Sequence, residues 1–210
     1  MLSEWVGPDG SVTGTDVGDD LIQAAQRRIE QEDLPNVTVV RDDLFDSRLP
    51  ASSFDLVHAR FAVTPLDRVN QQLESYLRLL RSGGRIVLED NDIGSWHFNP
   101  PAPATERLIH LIAESFLAAG ESFNDGRRQP QRLRELGLEP HVSAQVLALA
   151  PDDPYLRLPI HFTFTLEDRL LKLVATDELE SLRQQAEGEI ASPSRWGTTF
   201  TVIQSWAAVP

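Results

Sequence analysis

Apolar and polar residues follow two alternating spacings along the first half of the chain. Short apolar runs bounded by turn residues predict strands at 11–15, 37–40, 54–58 and 85–89. Between these runs, apolar residues recur at helical spacing, as in Leu21, Ile22, Ala25 and Ile29 and in Val69, Leu73, Tyr76, Leu77 and Leu80. Strands that alternate with such helices form parallel sheets through right-handed crossovers. The pattern therefore predicts an α/β fold with a doubly wound, mostly parallel sheet and helices on both faces.

The second half of the chain is predicted to be mainly helical, with two late strands. We expect Ser82-Gly83-Gly84 to end the helix before the fourth strand. Two late strands, 142–149 and 198–206, flank a helical insertion at about 154–189, and the last strand is expected to be antiparallel. We expect a single domain, 1–210, divided into halves at 92 and 93.

The composition excludes several classes of functional site and partner. The 210 residues include no cysteine, which excludes a disulfide framework, a thiolate metal site and a cysteine nucleophile. The 32 acidic residues against 19 basic ones give a net charge of −13, which disfavours nucleic acid and acidic membranes as partners. The start of the chain lacks a signal-peptide pattern, and no apolar run reaches membrane-spanning length. We therefore expect a cytoplasmic protein without a membrane or nucleic-acid partner.

Acidic residues follow the first two predicted strands. Ligands of open parallel sheets lie beyond the carboxyl ends of the strands. Asp16 could accept hydrogen bonds from both hydroxyls of a ribose, or it could be a helix-capping acid. Asp42 and Asp43 could meet an adenine, although acid pairs in loops are often merely solvated. Together, the three acids favour a nucleoside ligand.

Four segments then carry a family resemblance. Residues 10–16, 37–43, 54–60 and 79–89 occur in the order of the second to fifth motifs of class I S-adenosylmethionine-dependent methyltransferases, and they resemble those motifs. The chain has Ser-Gly-Gly at 82–84, where Pro-Gly-Gly is usual in the family. The resemblance covers about 7–92 and implies a Rossmann-like fold with a cofactor-binding half, 1–92, and a substrate-side half, 93–210.

The resemblance also implies roles for individual residues. Asp16 would bind the ribose hydroxyls of S-adenosylmethionine, Val17 would pack on the adenine, and Asp42 would accept from the adenine amino group. The remaining contacts would come from the backbone of Asp43 and Leu44 and, near the methionine part, from His58, Ala59 and Arg60.

One family element is not seen in this sequence. The first strand and its Gly-rich loop would precede Trp5, and Gly7, Gly10 and Gly14 do not replace them. A strand, loop and helix need roughly 30 residues. We expect that the sequence is a piece of a longer chain, that the neighbouring strands pair directly, or that an open cleft remains.

Residues after the fourth strand are further candidates for metal binding, substrate binding or catalysis. Asp90-Asn91-Asp92 could bind a divalent cation, but a polar strand end is the favoured interpretation, and no metal is predicted. Trp96 and Phe98 are predicted to line a substrate pocket, and His97 is the candidate general base, although such a histidine is often simply packed or exposed. In the insertion, Tyr155, Phe162 and Phe164 could cover an apolar substrate or belong to the core.

The sequence favours transfer of a methyl group from S-adenosylmethionine to a small molecule with an oxygen, nitrogen or carbon acceptor. The first alternative is a methyltransferase fold without methyl transfer, acting as a binding or partner subunit or as a cyclase-like pocket. A nicotinamide-dependent oxidoreductase is a further alternative, because its fold also places a ribose-binding acid after a strand. A metal-dependent glycosyltransferase that uses Asp90 and Asp92 is the most distant one. A homo-oligomer is possible, and the sequence does not decide the oligomeric state.

Overall fold

The computed structural model describes residues 2–62 and 65–210 and confirms the α/β fold. The first half contains α1 (Leu2–Val6), β1 (Val12–Asp16), α2 (Asp19–Gln31), β2 (Val37–Arg41), β3 (Phe54–Arg60), α3 (Val69–Leu79) and β4 (Leu80–Asp92). The second half contains β5 (Phe98–Asn99), α4 (Pro103–Ala118), α5 (Gln129–Glu135), β6 (His141–Gln145), β7 (Ala148–Leu149), α6 (Leu158–Thr165), α7 (Glu167–Leu170), α8 (Thr176–Ile190), β8 (Trp196–Thr198) and β9 (Thr201–Ala208). Short 3-10 turns lie at Ile93–Ser95, Gly126–Arg128 and Pro154–Arg157.

The strands form three sheets. The largest has the order β3-β4-β9-β6, with β3 parallel to β4 and with β9 antiparallel to both of its neighbours. Strands β1 and β2 form a separate parallel pair, and β5, β8 and β7 form a small antiparallel sheet. The expected late antiparallel strand is therefore confirmed as β9.

A gap separates the β1–β2 pair from the largest sheet. Within the described residues, β1 pairs only with β2, and β3 pairs only with β4. Of the arrangements expected from the sequence, direct pairing of the two neighbours is therefore wrong. The unit formed by β1, α2 and β2 buries a single apolar side chain, Ile22, while Leu21 and Val40 are exposed. Apolar burial therefore contributes little to holding this unit together.

The loop after β2 attaches this unit to the rest of the molecule. Arg78 of α3 donates to the carbonyl oxygens of Ser47 and Leu49, at 2.8 and 3.1 Å. The guanidinium of Arg68 lies 3.6 Å from the ring centroid of Phe45. Polar and cation–π contacts to α3 thus position the end of β2.

The boundary between α3 and β4 differs from the prediction. The helix ends at Leu79 and the strand begins at Leu80, so Ser82-Gly83-Gly84 lies within β4. Phe54 pairs with Leu80 but Leu56 pairs with Arg85, and the extra residues form a bulge. Gly83 has a φ of +76°, a value that side chains disfavour. The glycines therefore serve the bulge and do not end the helix.

Two hydrophobic cores stabilise the molecule. Helices α3 and α5 cover one face of the largest sheet, where Leu73, Leu133, Ile86 and Leu88 are buried together. The second core lies among α4, the helical insertion and the small sheet, and its buried residues include Leu108, Leu111, Leu156, Ile160 and Leu179. The insertion thus packs as part of a core. Along 2–62 and 65–210, no helix is both long and apolar enough to cross a membrane.

Glu189 joins the insertion to α4. Its carboxylate, on α8, accepts hydrogen bonds from the backbone N–H groups of Ala104 and Thr105 and from the Thr105 hydroxyl, each at 2.9 Å. The first N–H groups of a helix have no partner within the helix, and a negative charge there is favourable. Glu189 therefore stabilises the first turn of α4.

We expect Glu189→Ala to lower the free energy of unfolding by about 1–3 kcal/mol, because buried backbone donors lose a charged acceptor. Urea denaturation of the full chain measures the change. The matched control is Glu180→Ala, an exposed position on the same helix, with an expected change below about 0.5 kcal/mol. Equal stability losses in the two variants would contradict this role of Glu189.

Candidate functional site

Asp16 and Asp42 lie at the same edge of the β1–β2 pair. The strands are parallel, Asp16 pairs with Arg41, and the Asp42 N–H donates to the Asp16 carbonyl oxygen at 3.0 Å. The Asp16 Oδ1 accepts from the Gly18 N–H at 2.8 Å. The Asp42 carboxylate is buried, and its Oδ1 accepts from the Arg48 N–H at 2.8 Å. The structure thus brings together two acids that the sequence predicted as neighbours.

This edge has features that fit an adenosine. The Val17 side chain, next to Asp16, is 58% exposed and offers an apolar surface to a base. A Cβ on Gly18 would lie 3.2 Å from the Asp16 Oδ1, so the glycine keeps the space beside that carboxylate open. Asp43 is exposed and accepts from the Phe45 N–H at 2.9 Å, while Leu44 is half-buried. A carboxylate, an apolar side chain and a turn of backbone therefore lie together, as an adenosine requires.

His58, Ala59 and Arg60 lie across the gap at the end of β3. The His58 Nε2 is 2.9 Å from the Glu89 Oε1, and the Arg60 Nε is 3.6 Å from the Glu89 Oε2. Ala59 instead faces the core under α3. The two basic side chains therefore share one face of the sheet with Glu89, and their contact with a cofactor stays a prediction.

An aromatic cavity of about 210 Å³ lies beyond the end of β4. Its lining comes from distant parts of the chain: Phe61, Asp90, Asn91, Ser122, Phe123, Phe162 and Phe200. Ring centroids are 5.9 Å apart both in the pair Phe61–Phe200 and in the pair Phe123–Phe162, and both contacts are edge to face. Such contacts fix the rings against one another. Of this set, the sequence pointed to Phe162 as a possible cover of an apolar substrate and to Asp90 and Asn91 as a polar strand end or possible cation ligands.

The structure places the predicted pocket residues elsewhere. Trp96 and Phe98 are 2% and 6% exposed and belong to the second core. Trp96 contacts Phe200 and Phe162 at centroid distances of 5.3 and 6.3 Å, so it supports the cavity wall from behind. The chain turns into the core at Ile93–Ser95, which explains the difference. His97 is exposed and lines neither described cavity, so its catalytic role stays a prediction.

Asp90 lies between the aromatic cavity and a second, polar cavity of about 30 Å³. Its Oδ1 accepts from the Asn91 N–H at 2.8 Å, and its Oδ2 lies 3.4 Å from the Gln129 Nε2. Burial raises the pKa of Asp90 from 3.8 to about 6, the Asn91 N–H opposes this rise, Asp125 adds to it and Arg132 opposes it. The carboxylate can therefore exchange a proton near neutral pH.

The turn at 122–128 is fixed against the end of β4. The Asn91 side chain donates to the Phe123 carbonyl oxygen, and the Ile93 N–H donates to the Asn124 Oδ1 at 2.9 Å. A Cβ on Gly126 would lie 2.9 Å from the Asp90 carbonyl oxygen, so only glycine permits this close approach. These contacts hold the aromatic and polar linings beside Asp90.

The Asp92 carboxylate already has partners in the two turns that adjoin the end of β4. It accepts from the Gly94 N–H at 2.9 Å and pairs with Arg127. Among the residues outside position 1 and positions 63–64, no group of three or more His, Cys, Asp or Glu side chains could hold a metal ion. The contacts of Asp92 agree with the interpretation of 90–92 as a polar strand end.

The raised pKa of Asp90 predicts a pH-dependent stability. Because the folded value, about 6, exceeds the ordinary 3.8, the folded protein binds more protons between these values, and stability falls as pH rises through them. Asp90→Asn lacks this loss, so its stability relative to the natural protein should rise by roughly 2–3 kcal/mol from pH 4 to pH 7. Urea denaturation across this range measures it. With the exposed control Asp152→Asn the difference should stay constant, and a constant difference for Asp90→Asn would contradict the assignment.

Sequence comparison links the first part of the chain to known enzymes. Residues 1–84 match the family model described as a methyltransferase domain. Demethylmenaquinone methyltransferase of Listeria welshimeri is 29% identical over 90 residues, which are 43% of this chain and 38% of that protein. Nocamycin O-methyltransferase of Saccharothrix syringae is 35% identical over 86 residues, which are 41% of this chain and 31% of that protein. The chain thus spans less than two fifths of the length of these curated relatives.

Solved structures share the fold over nearly the whole chain. The YcgJ protein of Bacillus subtilis has a TM-score of 0.58 at 16% identity, covering 95% of this chain and 82% of that one. Geranyl diphosphate methyltransferase in complex with S-adenosylmethionine has a TM-score of 0.52 at 15% identity, and the match covers 96% of this chain and 69% of that one. Residues 1–84 are thus similar in sequence to a methyltransferase domain, and nearly the whole chain shares the fold of these solved structures.

Proposed function

We propose that the protein transfers a methyl group from S-adenosylmethionine to a small-molecule acceptor. The observation that carries the proposal is the placement of two different linings at the carboxyl ends of the parallel strands. The acids after β1 and β2 suit a nucleoside, and the aromatic cavity beyond β4 suits an apolar molecule. Transfer between two ligands needs two such neighbouring surfaces.

In this proposal the two sides of the gap hold the two ends of S-adenosylmethionine. Asp16 and Asp42 bind the adenosine with Val17, Asp43 and Leu44, and the segment His58-Ala59-Arg60 faces the methionine part. The sulfonium of bound S-adenosylmethionine supplies an activated methyl group. The protein then contributes by aligning the acceptor and by excluding water, and alignment alone can lower a barrier by roughly 7–11 kcal/mol.

The size of the aromatic cavity supports a small acceptor. At about 210 Å³ it is smaller than the roughly 300–1,000 Å³ of pockets for drug-sized ligands. The net charge of −13 argues against a nucleic-acid acceptor. The cysteine-free composition agrees with the predicted cytoplasmic location.

The small apolar burial of the β1–α2–β2 unit favours a second candidate, a protein that keeps the fold but does not transfer methyl groups. Within the described residues the β1–β2 pair shares no strand with the largest sheet, and Ile22 is the one buried apolar residue of the β1–α2–β2 unit. Cofactor affinity depends on how firmly this unit is held. A binding or partner role would not need a tightly held cofactor.

Calorimetric titration with S-adenosylhomocysteine separates the two candidates. We expect micromolar binding to the natural chain and binding at least tenfold weaker to Asp16→Asn, because hydrogen bonds to a charged carboxylate are worth about 1.5–3 kcal/mol. The matched control is Asp9→Asn, an exposed position beyond the opposite end of β1, which should bind like the natural chain.

The outcomes of this titration differ for each candidate. No heat at millimolar ligand would contradict the methyl-transfer proposal and favour the second candidate. Tight binding of NADH in place of S-adenosylhomocysteine would support an oxidoreductase. With binding established, S-adenosylhomocysteine formed from S-adenosylmethionine in the presence of small phenols, amines or acids reports transfer directly.

A further inference from the structure

We propose that the aromatic cavity binds a flat, mainly apolar molecule through a hydroxyl group, and that Asp90 accepts the proton of this hydroxyl as it is methylated. The inference rests on the proposed function and names the acceptor class for the same site. In this proposal Asp90 is the catalytic base, in place of His97, the candidate base predicted from the sequence.

The first support is the lining of the cavity. Phe61, Phe123, Phe162 and Phe200 come from four separate segments and surround the space with rings. Trp96 and Phe116 contact these rings from behind and restrain them. A space of about 210 Å³ bounded by fixed rings favours a ligand of one or two rings that can stack or meet them edge to face.

The second support is the position of the carboxylate. Asp90 is the one ionisable residue in the described lining of the aromatic cavity. The neighbouring Asn91 side chain is already committed to the Phe123 carbonyl oxygen. A polar group on an otherwise apolar ligand would therefore find its charged partner at Asp90, and burial would strengthen that hydrogen bond.

Other charged groups around Asp90 are paired with one another. On the α5 side, Arg132 forms two hydrogen bonds with Asp125, and Arg128 lies 3.8 Å from Asp125. On the β3 side, Glu89 is engaged by His58, Arg60 and the Gln204 amide. From α3, Tyr76 lines the polar cavity, and burial raises its pKa, so it stays neutral. Arg132 favours the ionised form of Asp90, but it is bonded to Asp125, and no cation among the described residues forms an ion pair with Asp90 itself.

Gln129 can serve both protonation states of Asp90. Its Nε2 faces the Asp90 Oδ2 at 3.4 Å, while its Oε1 is buried and has no hydrogen-bond partner among the described residues. Rotation of the amide by half a turn exchanges the donor for an acceptor. The side chain can then accept a hydrogen bond from Asp90 after the carboxylate has taken up a proton.

The carboxylate favours a hydroxyl over an amine. A protonated amine would form an ion pair with Asp90, which stabilises the ammonium form, and an ammonium nitrogen has no lone pair for attack. A hydroxyl that donates to Asp90 keeps its lone pairs. In the balanced step, the acceptor oxygen bonds to the methyl carbon, the carbon–sulfur bond breaks with its electron pair left on sulfur, and the hydroxyl proton passes to Asp90. The products are a methyl ether and S-adenosylhomocysteine.

Binding of 1-naphthol to the full chain, without S-adenosylmethionine, tests the pocket. We expect calorimetry to show at least tenfold tighter binding than for naphthalene, and the preference should fall at least threefold in Asp90→Asn. Phe162→Leu should weaken 1-naphthol binding several-fold, whereas Phe164→Leu, on the exposed side of the same helix, should not. Tighter binding of 2-phenylethylamine than of 1-naphthol would overturn the hydroxyl assignment in favour of an amine.

The rate of methyl-ether formation tests the base. With 1-naphthol, the rate for the natural chain should rise with pH to a plateau, with an inflection near 6, and Asp90→Asn should lose at least 100-fold in rate and the inflection. An unchanged rate or a retained inflection in that variant would overturn the role of Asp90.

A parallel titration with S-adenosylhomocysteine separates the two levels of the proposal. Loss of 1-naphthol binding with normal S-adenosylhomocysteine binding would overturn only the acceptor assignment. Loss of S-adenosylhomocysteine binding would instead overturn the proposed function. If Asp90→Asn does not fold, the Phe162 and Phe164 pair and the pH profile of the natural chain still decide the outcome.

Discussion

The packing of the 122–128 turn against the end of β4 is the constraint on which the site depends. Strand β4 is hydrogen-bonded on both edges, to β3 and to β9, and its Ile86 and Leu88 are anchored in the core under α3. Asn91 and the close approach of Gly126 then hold the turn in place. Because this strand end is rigid, one carboxylate and several rings from distant segments meet at a fixed point.

The cofactor side of the site is held mainly by hydrogen bonds and not by a hydrophobic core. The β1–α2–β2 unit depends on its own parallel hydrogen bonds and on loop contacts to α3, and it buries little apolar surface. Unpaired strand edges are costly only when they are buried, and no residue of β1 or β3 is fully buried, so water can reach their backbone groups. Because the β1–α2–β2 unit buries little apolar surface, we expect the cofactor side to be the more mobile part of the site.

The sequence could predict what depends on local pattern and on strand direction. The placement of Asp16 and Asp42 at one edge could be predicted because the carboxyl ends of parallel strands meet there. Phe123 and Phe200 carry no local signal, since only tertiary packing brings them to β4. Trp96 was misassigned because an aromatic residue after a strand can face a cavity or the core, and periodicity does not distinguish the two. The bulge at Gly83 could not be predicted either, because it depends on the pairing register of β3 and β4.

Hydrogen exchange with and without saturating S-adenosylhomocysteine tests most directly the claim that both sides of the gap form one site. The account predicts slower exchange at the amides of 16–18 and 42–45 together with those of 58–62, and little change in the helical insertion. Protection confined to one side of the gap, or none at either side, would contradict it.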